Sequence, residues 1–168
     1  MLTLLDLPEN SFPSLILVGC WLYALHYLRR SGYAVAFFGF FATAMHEACH
    51  YIVGLLLNAK PVSVSLWPRR QGNSWILGSV GFTHITLWNA AFVGLAPLLM
   101  LPLAWGLFTY WMLAAYAAQW YISWLVSGYF IACCLFGGWP SSTDIKVAFA
   151  SASLYGAAVW CAYHFFAN

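Results

Sequence analysis

Residues 33–57 read YAVAFFGFFATAMHEACHYIVGLLL, an apolar run that carries His46, Glu47 and His50 near its middle. A helix that crosses a membrane needs about 20 mainly apolar residues, so this run is long enough. A charged side chain near the centre of such a helix costs at least about 2.5–3.5 kcal/mol on insertion scales, and is therefore a functional hypothesis by default. The stretch predicts a membrane helix that contains a site.

The composition of the whole chain agrees with a membrane protein. Of the 168 residues, 64% are hydrophobic and 6% are charged, whereas a soluble domain carries about 25% charged residues because its surface faces water. The net charge of +2 is too small for a nucleic-acid-binding surface. We therefore expect an all-α integral membrane protein, a single transmembrane domain over residues 1–168. The lipid bilayer is an expected partner, and no nucleic acid is.

The apolar segments predict about five transmembrane helices, with four and six as open alternatives. They lie at about 12–28, at 33–57, at two places within 87–135 and at about 142–166. The second helix ends at Asn58-Ala59-Lys60-Pro61, a sequence typical of a helix stop. The turn between the third and fourth helices falls somewhere in 109–119, and Gly137-Gly138-Trp139-Pro140 breaks the chain before the fifth.

Residues 61–84 predict a β-hairpin between the second and third helices. PVSVSLW alternates apolar and polar side chains, PRRQGN is a polar turn, and SWILGSVGFTH is a second run rich in strand-forming residues. Strand backbone at membrane depth must be surrounded by protein or water. We expect the hairpin at the membrane surface or dipping into it, packed on the helices beside a wet cavity.

Residues 46–50 have the HExxH pattern. Residues four apart on a helix differ by about 40° in azimuth, so His46 and His50 project from one face and can bind one metal ion. Glu47 lies on the adjoining edge, where it can act as general base toward a water molecule. The structural alternative is that both histidines hydrogen-bond other helices while Glu47 is protonated and paired.

A catalytic zinc site needs a third protein ligand and an open position for water. Asp6 and Glu9 precede the first helix, so Asp144 is the only other acid in the membrane body. With five alternating helices, the end of the second and the start of the fifth lie on one side. His50 is about 10 Å from that side at 1.5 Å rise per residue, and Asp144 is about one turn into its helix. The two depths match.

Other interpretations stay open at these positions. Ser141-x-x-Asp144 is also a capping-box pattern, and Lys146 is close enough in sequence to pair with Asp144. His84, at the end of the hairpin, is the rival third ligand. Asn89 either binds substrate, orienting its backbone or stabilising an oxyanion, or makes an interhelical hydrogen bond.

The order of these elements resembles the site-2 protease family of intramembrane zinc metalloproteases. HEACH in a membrane helix is followed by a β-hairpin, a helix with Asn-x4-Gly-x2-Pro at 89–97, and an acid at the start of a later helix, over roughly residues 33–150. The resemblance implies His46, His50 and Asp144 as zinc ligands, Glu47 as base, and strands that pair with unwound substrate. The chain departs from the family in having Ser-Thr-Asp-Ile where Leu-Asp-Gly is usual, and in lacking a PDZ domain.

We therefore expect a zinc-dependent metalloendopeptidase that hydrolyses peptide bonds of membrane-embedded or membrane-proximal protein substrates. The alternatives are a membrane zinc hydrolase of lipid amides or esters, and a metal-binding membrane protein that is not an enzyme. Basic residues are more numerous on the side of the hairpin, which favours a cytoplasmic position for the active site. The small chain is compatible with a bacterial inner (cell) membrane.

Overall fold

The computed structural model describes residues 11–28, 31, 34, 37–67, 69–71 and 74–167, most of them helical. The elements are, in chain order, α1 (Ser11–Leu28), α2 (Phe40–Leu56), β1 (Pro61–Ser65), β2 (Arg69–Gln71), β3 (Ser74–Ile76), β4 (Ser79–Phe82), α3 (Ala90–Gly94), a 3₁₀ turn (Ala96–Leu99), α4 (Met100–Gly106), a π-helical segment (Leu107–Met112), α5 (Leu113–Ala117), α6 (Tyr121–Gly137) and α7 (Ser142–Ala167).

Three of the described helical stretches are long and apolar enough to cross a membrane: Ser11–Leu28, Ala96–Ala117 and Ser142–Phe166. Large apolar side chains such as Tyr110 and Ile122 lie more than 80% exposed, which in water would be unfavourable and in lipid is not. The chain is thus a membrane protein. The expected count of five spans is not confirmed, because α2 and α6 have only 17 residues each, fewer than the about 20 that a full crossing needs.

Helix α2 is shorter than the predicted second helix because a turn at Gly39 separates it from the helical residues Ala34, Phe37 and Phe38, so that it begins at Phe40. Positions 33, 35 and 36 lie outside the described residues. The end of α2 agrees with the helix stop predicted at residues 58–61. The amide of Ala59 donates to the carbonyl of Gly54 at 2.7 Å, and that of Asn58 to Leu55 at 3.2 Å. With Asn58 at φ 54°, this is a Schellman cap.

The third helix also begins later than predicted. Residues 87–89 form a turn and α3 ends at Gly94, so the continuous helix starts at Ala96, with Pro97 in its first turn, where proline needs no amide hydrogen. It then runs through the π-helical segment to Ala117. The chain reverses at 118–120, at the late end of the predicted interval, with Gln119 in the left-handed region at φ 59°.

The predicted hairpin is present as two antiparallel strand pairs that follow one another along its length. Strand β1 pairs with β4, from Pro61 opposite Phe82 to Ser65 opposite Ser79. Strand β2 pairs with β3, from Arg69 opposite Ile76 to Gln71 opposite Ser74. The interpretation of PRRQGN as a turn is wrong for its centre, because residues 69–71 complete a ladder with 74–76. Positions 68, 72 and 73 of that turn lie outside the described residues.

Helices α1 and α6 pack along each other at the centre of the molecule. The indole of Trp124 donates to the hydroxyl of Ser14 at 3.0 Å, and that of Trp21 to the carbonyl of Leu125 at 3.2 Å. The main core cluster joins these helices to the third span, with members Val18, Met100, Ala104, Phe108, Met112, Ile131 and Cys134. Helix α2 packs on α6 as well, which places the HExxH segment against the core.

Helix α7 is peripheral and packs on the short helix α3. A Cβ at Gly94 would lie 2.6 Å from the carbonyl oxygen of Asp144, so the two backbones touch where α7 begins. Further along, Ser151 donates to the carbonyl of Leu87 at 2.6 Å, and Tyr155 to that of Trp88 at 2.8 Å. These contacts hold the first turn of α7 next to α2 by way of α3.

Candidate metal centre

The structure brings His46, His50 and Asp144 together, with candidate ligand atoms that all lie within 4.8 Å of one another. The two Nε2 atoms are 3.2 Å apart. Asp144 faces both rings, since its Oδ2 lies 3.4 Å from Nε2 of His46 and its Oδ1 lies 3.3 Å from Nε2 of His50. His50 and Asp144, which are 94 positions apart in the sequence, are therefore neighbours in one cluster.

The tautomer of each histidine follows from its second nitrogen. Nδ1 of His46 lies 2.7 Å from the carbonyl oxygen of Gly137, and Nδ1 of His50 lies 2.7 Å from that of Val93. A carbonyl oxygen only accepts, so both Nδ1 atoms carry the hydrogen and donate it. In the neutral rings, both Nε2 lone pairs then point into the cluster. Histidine ligands of metals are commonly oriented by such a carbonyl partner.

When both rings are neutral, the groups that face one another are all acceptors: two Nε2 lone pairs and two carboxylate oxygens. Acceptors at such distances repel unless a cation lies among them. Zn–N bonds of about 2.0–2.1 Å in a tetrahedral site separate the ligand atoms by about 3.3–3.4 Å, close to the separations above. The donor set of two imidazoles and one carboxylate thus fits a metal ion in both chemistry and size.

Asp144 caps the start of α7 and also belongs to the cluster. The amide of Ser141 donates to Oδ2 of Asp144 at 2.7 Å, and the amide of Asp144 donates to the hydroxyl of Ser141 at 3.2 Å. This is the capping box that the sequence offered as an alternative to ligation. The two roles coexist, because one carboxylate has enough lone pairs to accept the cap hydrogen bond and to ligate a metal ion. The cap fixes the rotamer that faces α2.

Glu47 is buried beside the cluster, with 7% of its surface exposed. Within the described part of the chain, no hydrogen bond to its carboxylate is found, so the pairing that the structural alternative required is not present there. The backbone of Gly78, between β3 and β4, lies against its side chain. A Cβ at Gly78 would come within 2.7 Å of Cγ and 2.8 Å of Oε1 of Glu47.

The cluster and Glu47 line a cavity of about 720 Å³. Its walls are α2, the hairpin from Leu77 to Phe82, and the loop and first turns of α7 from Ser141 to Val147. The hydroxyls of Ser79, Ser141, Ser142 and Thr143 belong to this lining. A cavity is thus present beside the hairpin, as expected, lined by both apolar and polar residues.

Comparisons with protein-family models, with curated proteins and with solved structures find no match for this chain. No family assignment follows from them. The identity of the ion and the reaction therefore depend on the contacts among the described residues, and the resemblance to the site-2 protease family stays a prediction.

His84 and Asn89, the other two sequence candidates, lie apart from the cluster. His84 is exposed in the loop after β4 and does not join the group of possible ligands among the described residues. The buried amide of Asn89 donates to the carbonyls of His84 and Leu57 at 3.0 and 3.4 Å, while its Oδ1 accepts from the amide of Thr86 at 2.8 Å. This network ties the end of α2 to the loop before α3, and Asn89 is not among the described residues that line the cavity.

One glycine and one valine support the site in ways that the sequence motifs did not reveal. The carbonyls of Val93 and Gly137 orient the histidines. A Cβ at Gly137 would lie 2.8 Å from the carbonyl oxygen of Ala42, so only glycine lets the end of α6 come this close to α2. The sequence marks Gly137 as part of a chain break. Its role as a partner of His46 could be found only from the packing.

Proposed function

We propose that the chain is an intramembrane zinc metalloprotease of the site-2 protease type, which hydrolyses peptide bonds of membrane-embedded or membrane-proximal proteins. The observation that carries the proposal is the convergence of the two imidazoles of His46 and His50 with the carboxylate of Asp144, beside the buried side chain of Glu47. Two histidines and a carboxylate are three protein ligands, the number typical of a catalytic zinc site with a position left for water.

The ion, when bound, supplies Lewis-acid chemistry: it polarises a carbonyl group and lowers the pKa of a water molecule toward about 7. Glu47 acts as general base, taking a proton from water as the oxygen–carbon bond forms. It then delivers that proton to the amide nitrogen as the carbon–nitrogen bond breaks. The buried position of Glu47 supports this role, because a carboxylate with few competing partners stays available for proton transfer.

The cavity supports a peptide as substrate. Its volume of about 720 Å³ lies within the range of about 300–1,000 Å³ that ligand sites occupy. The hairpin forms one wall, and a strand edge can hold a peptide in an extended conformation through main-chain hydrogen bonds. An extended peptide exposes the bond that a substrate helix hides.

The membrane arrangement is part of the proposal. We infer five membrane-embedded helices, α2 and α6 among them, because exposed apolar residues such as Leu56 and Ile122 continue the lipid-facing surface onto these shorter helices. The sequence order of the spans assigns four basic residues to the hairpin side and two to the other, which favours the hairpin side as cytoplasmic. A bacterial inner membrane is compatible with this arrangement.

The test compares the wild-type protein with Glu47→Gln, purified in detergent and reconstituted into liposomes that contain a peptide or protein with an apolar helix. We expect the wild-type protein to contain about one zinc per chain and to cleave the peptide. Glu47→Gln should keep the zinc and lose cleavage by at least about 10²-fold, the contribution typical of a general base. His46→Ala, the control for the metal, should lose both.

Three results would contradict the proposal. Full peptide cleavage by Glu47→Gln would exclude Glu47 as the base. Zinc-dependent release of fatty acid from the liposome lipids without peptide cleavage would identify the lipid-amide or lipid-ester hydrolase instead. A protein that binds zinc and turns over neither substrate class would be the metal-binding protein without enzymatic activity.

A further inference from the structure

The hairpin lies along α2 and touches it at two glycines. A Cβ at Gly54 of α2 would contact the ring of Phe82, and a Cβ at Gly78 of the hairpin would contact Glu47 and Thr43. From Gly54 back to Glu47 the helix rises about 10 Å, and from Phe82 back to Gly78 the strand extends about 13 Å. The two elements thus run side by side from the end of α2 to the HExxH turn.

The ladder of the hairpin is interrupted where it passes over Glu47. Strand β3 ends at Ile76 and β4 begins at Ser79, and Leu77 and Gly78 between them belong to neither pair. At this break a Cβ on Gly78 would lie 2.7 Å from Cγ and 2.8 Å from Oε1 of Glu47, closer than a side chain allows. Glycine is thus needed here for close approach, while the φ of Gly78 is outside the left-handed region.

We propose that Gly78 is a positioning residue for the general base. The backbone at Gly78 closes one side of the Glu47 side chain, and Thr43, one helical turn earlier, borders the same space. Because the described residues give the carboxylate no hydrogen bond, this packing is what confines its rotamers. The hairpin therefore positions the side chain of Glu47. The metal ligands are positioned separately, by contacts with Gly137, Val93 and Ser141.

This inference rests on the proposed function and makes a separable prediction: Gly78→Ala removes base action without removing metal. The new Cβ would lie 2.7–2.9 Å from Cγ and Oε1 of Glu47 and from Cγ2 of Thr43, below the about 3.5–4.0 Å of favourable carbon contacts. Either the Glu47 side chain or the hairpin backbone must shift, and each changes the position of the carboxylate relative to the hairpin. A misplacement of about 1 Å can cost about 10²-fold in rate.

The experiment measures kcat, KM and zinc content of the full chain in liposomes with the cleavable peptide. For Gly78→Ala we expect kcat to fall at least tenfold, with KM and zinc content within twofold of wild type. Gly81→Ala is the matched control on the same hairpin, because its Cβ would lie 2.5 Å from the Ser63 hydroxyl, a group that can rotate away, and Glu47 is not among its nearest neighbours. Its kcat should stay within threefold of wild type.

Three results would overturn the inference: an unchanged kcat in Gly78→Ala, a loss of zinc as large as in His46→Ala, or an equal loss of kcat in Gly81→Ala. If Gly78→Ala alone does not fold, Gly78→Ala with Thr43→Ser, which removes Cγ2, supplies the same comparison against Thr43→Ser. A wild-type protein that cleaves no peptide would instead refute the proposed function, so the two failures are distinguishable.

Discussion

The contact between α3 and α7 at Gly94 sets the position of Asp144, and Gly94→Ala should displace it. The added Cβ would lie 2.6 Å from the carbonyl oxygen of Asp144 and 2.9 Å from Cβ of Ala148. Favourable carbon contacts need about 3.5–4.0 Å, so the contact with Ala148 falls short by about 0.6–1.1 Å. Helix α7 must move away from α3 by a similar distance, and its first turn carries the carboxylate.

That displacement exceeds the tolerance of about 0.5 Å within which a functional site must be held. Loss of a supporting contact of a metal site typically costs about 10–100-fold in metal affinity, which corresponds to about 1.4–2.8 kcal/mol. We expect Gly94→Ala to bind zinc weaker by that factor. The measurement is competition with a chromophoric chelator, in purified protein, with wild type and Asp144→Ala as the two reference points.

Gly156→Ala is the matched control, since Gly156 lies on α7, the helix that carries Asp144, and a Cβ there would meet nothing within 4 Å. Its zinc affinity should equal that of wild type, and its thermal stability should be equal or slightly higher, because alanine is favoured over glycine in a helix by about 0.5–1 kcal/mol. A zinc affinity of Gly94→Ala within twofold of wild type would refute the reasoning that α3 positions the third ligand.

Two further substitutions separate the remaining candidate residues. Asp144→Ala should lower the zinc content measured by mass spectrometry to the level of His46→Ala, whereas His84→Ala should leave it unchanged; the reverse pattern would make His84 the third ligand. Asn89→Ala should destabilise the protein by about 1–3 kcal/mol, the cost of buried polar groups left without partners, seen as a lower melting temperature in detergent with KM unchanged. A tenfold rise in KM without a change in melting temperature would instead assign Asn89 to substrate binding.

The local parts of the site were predictable because their signals are local. The 3.6-residue period alone puts His46 and His50 on one face of α2. The alternation after Pro61 predicts the hairpin, and the stop sequence after Leu57 predicts the end of the helix, which the Schellman cap confirms. Each of these depends on residues within one or two turns of one another.

The limits of the spans were harder to predict from composition. Hydropathy does not distinguish the loop at residues 87–89 and α3 from the start of a membrane helix, because both are apolar. What separates them is the Asn89 network and the turn that it stabilises. The 17-residue lengths of α2 and α6 likewise follow from where the backbone turns, at Gly39 and at residues 118–120, and not from where apolar residues end.

The sequence by itself determined the membrane class, the two histidines with their glutamate, and Asp144 as the acid at a matching depth. Only the tertiary structure decided that Asp144 and not His84 lies against both rings, and that Gly137 and Val93 turn each Nε2 lone pair inward. The physical reason is that these contacts join segments far apart in sequence. They exist because backbones approach closely at Gly94 and Gly137, a property of packing that no single helix or strand encodes.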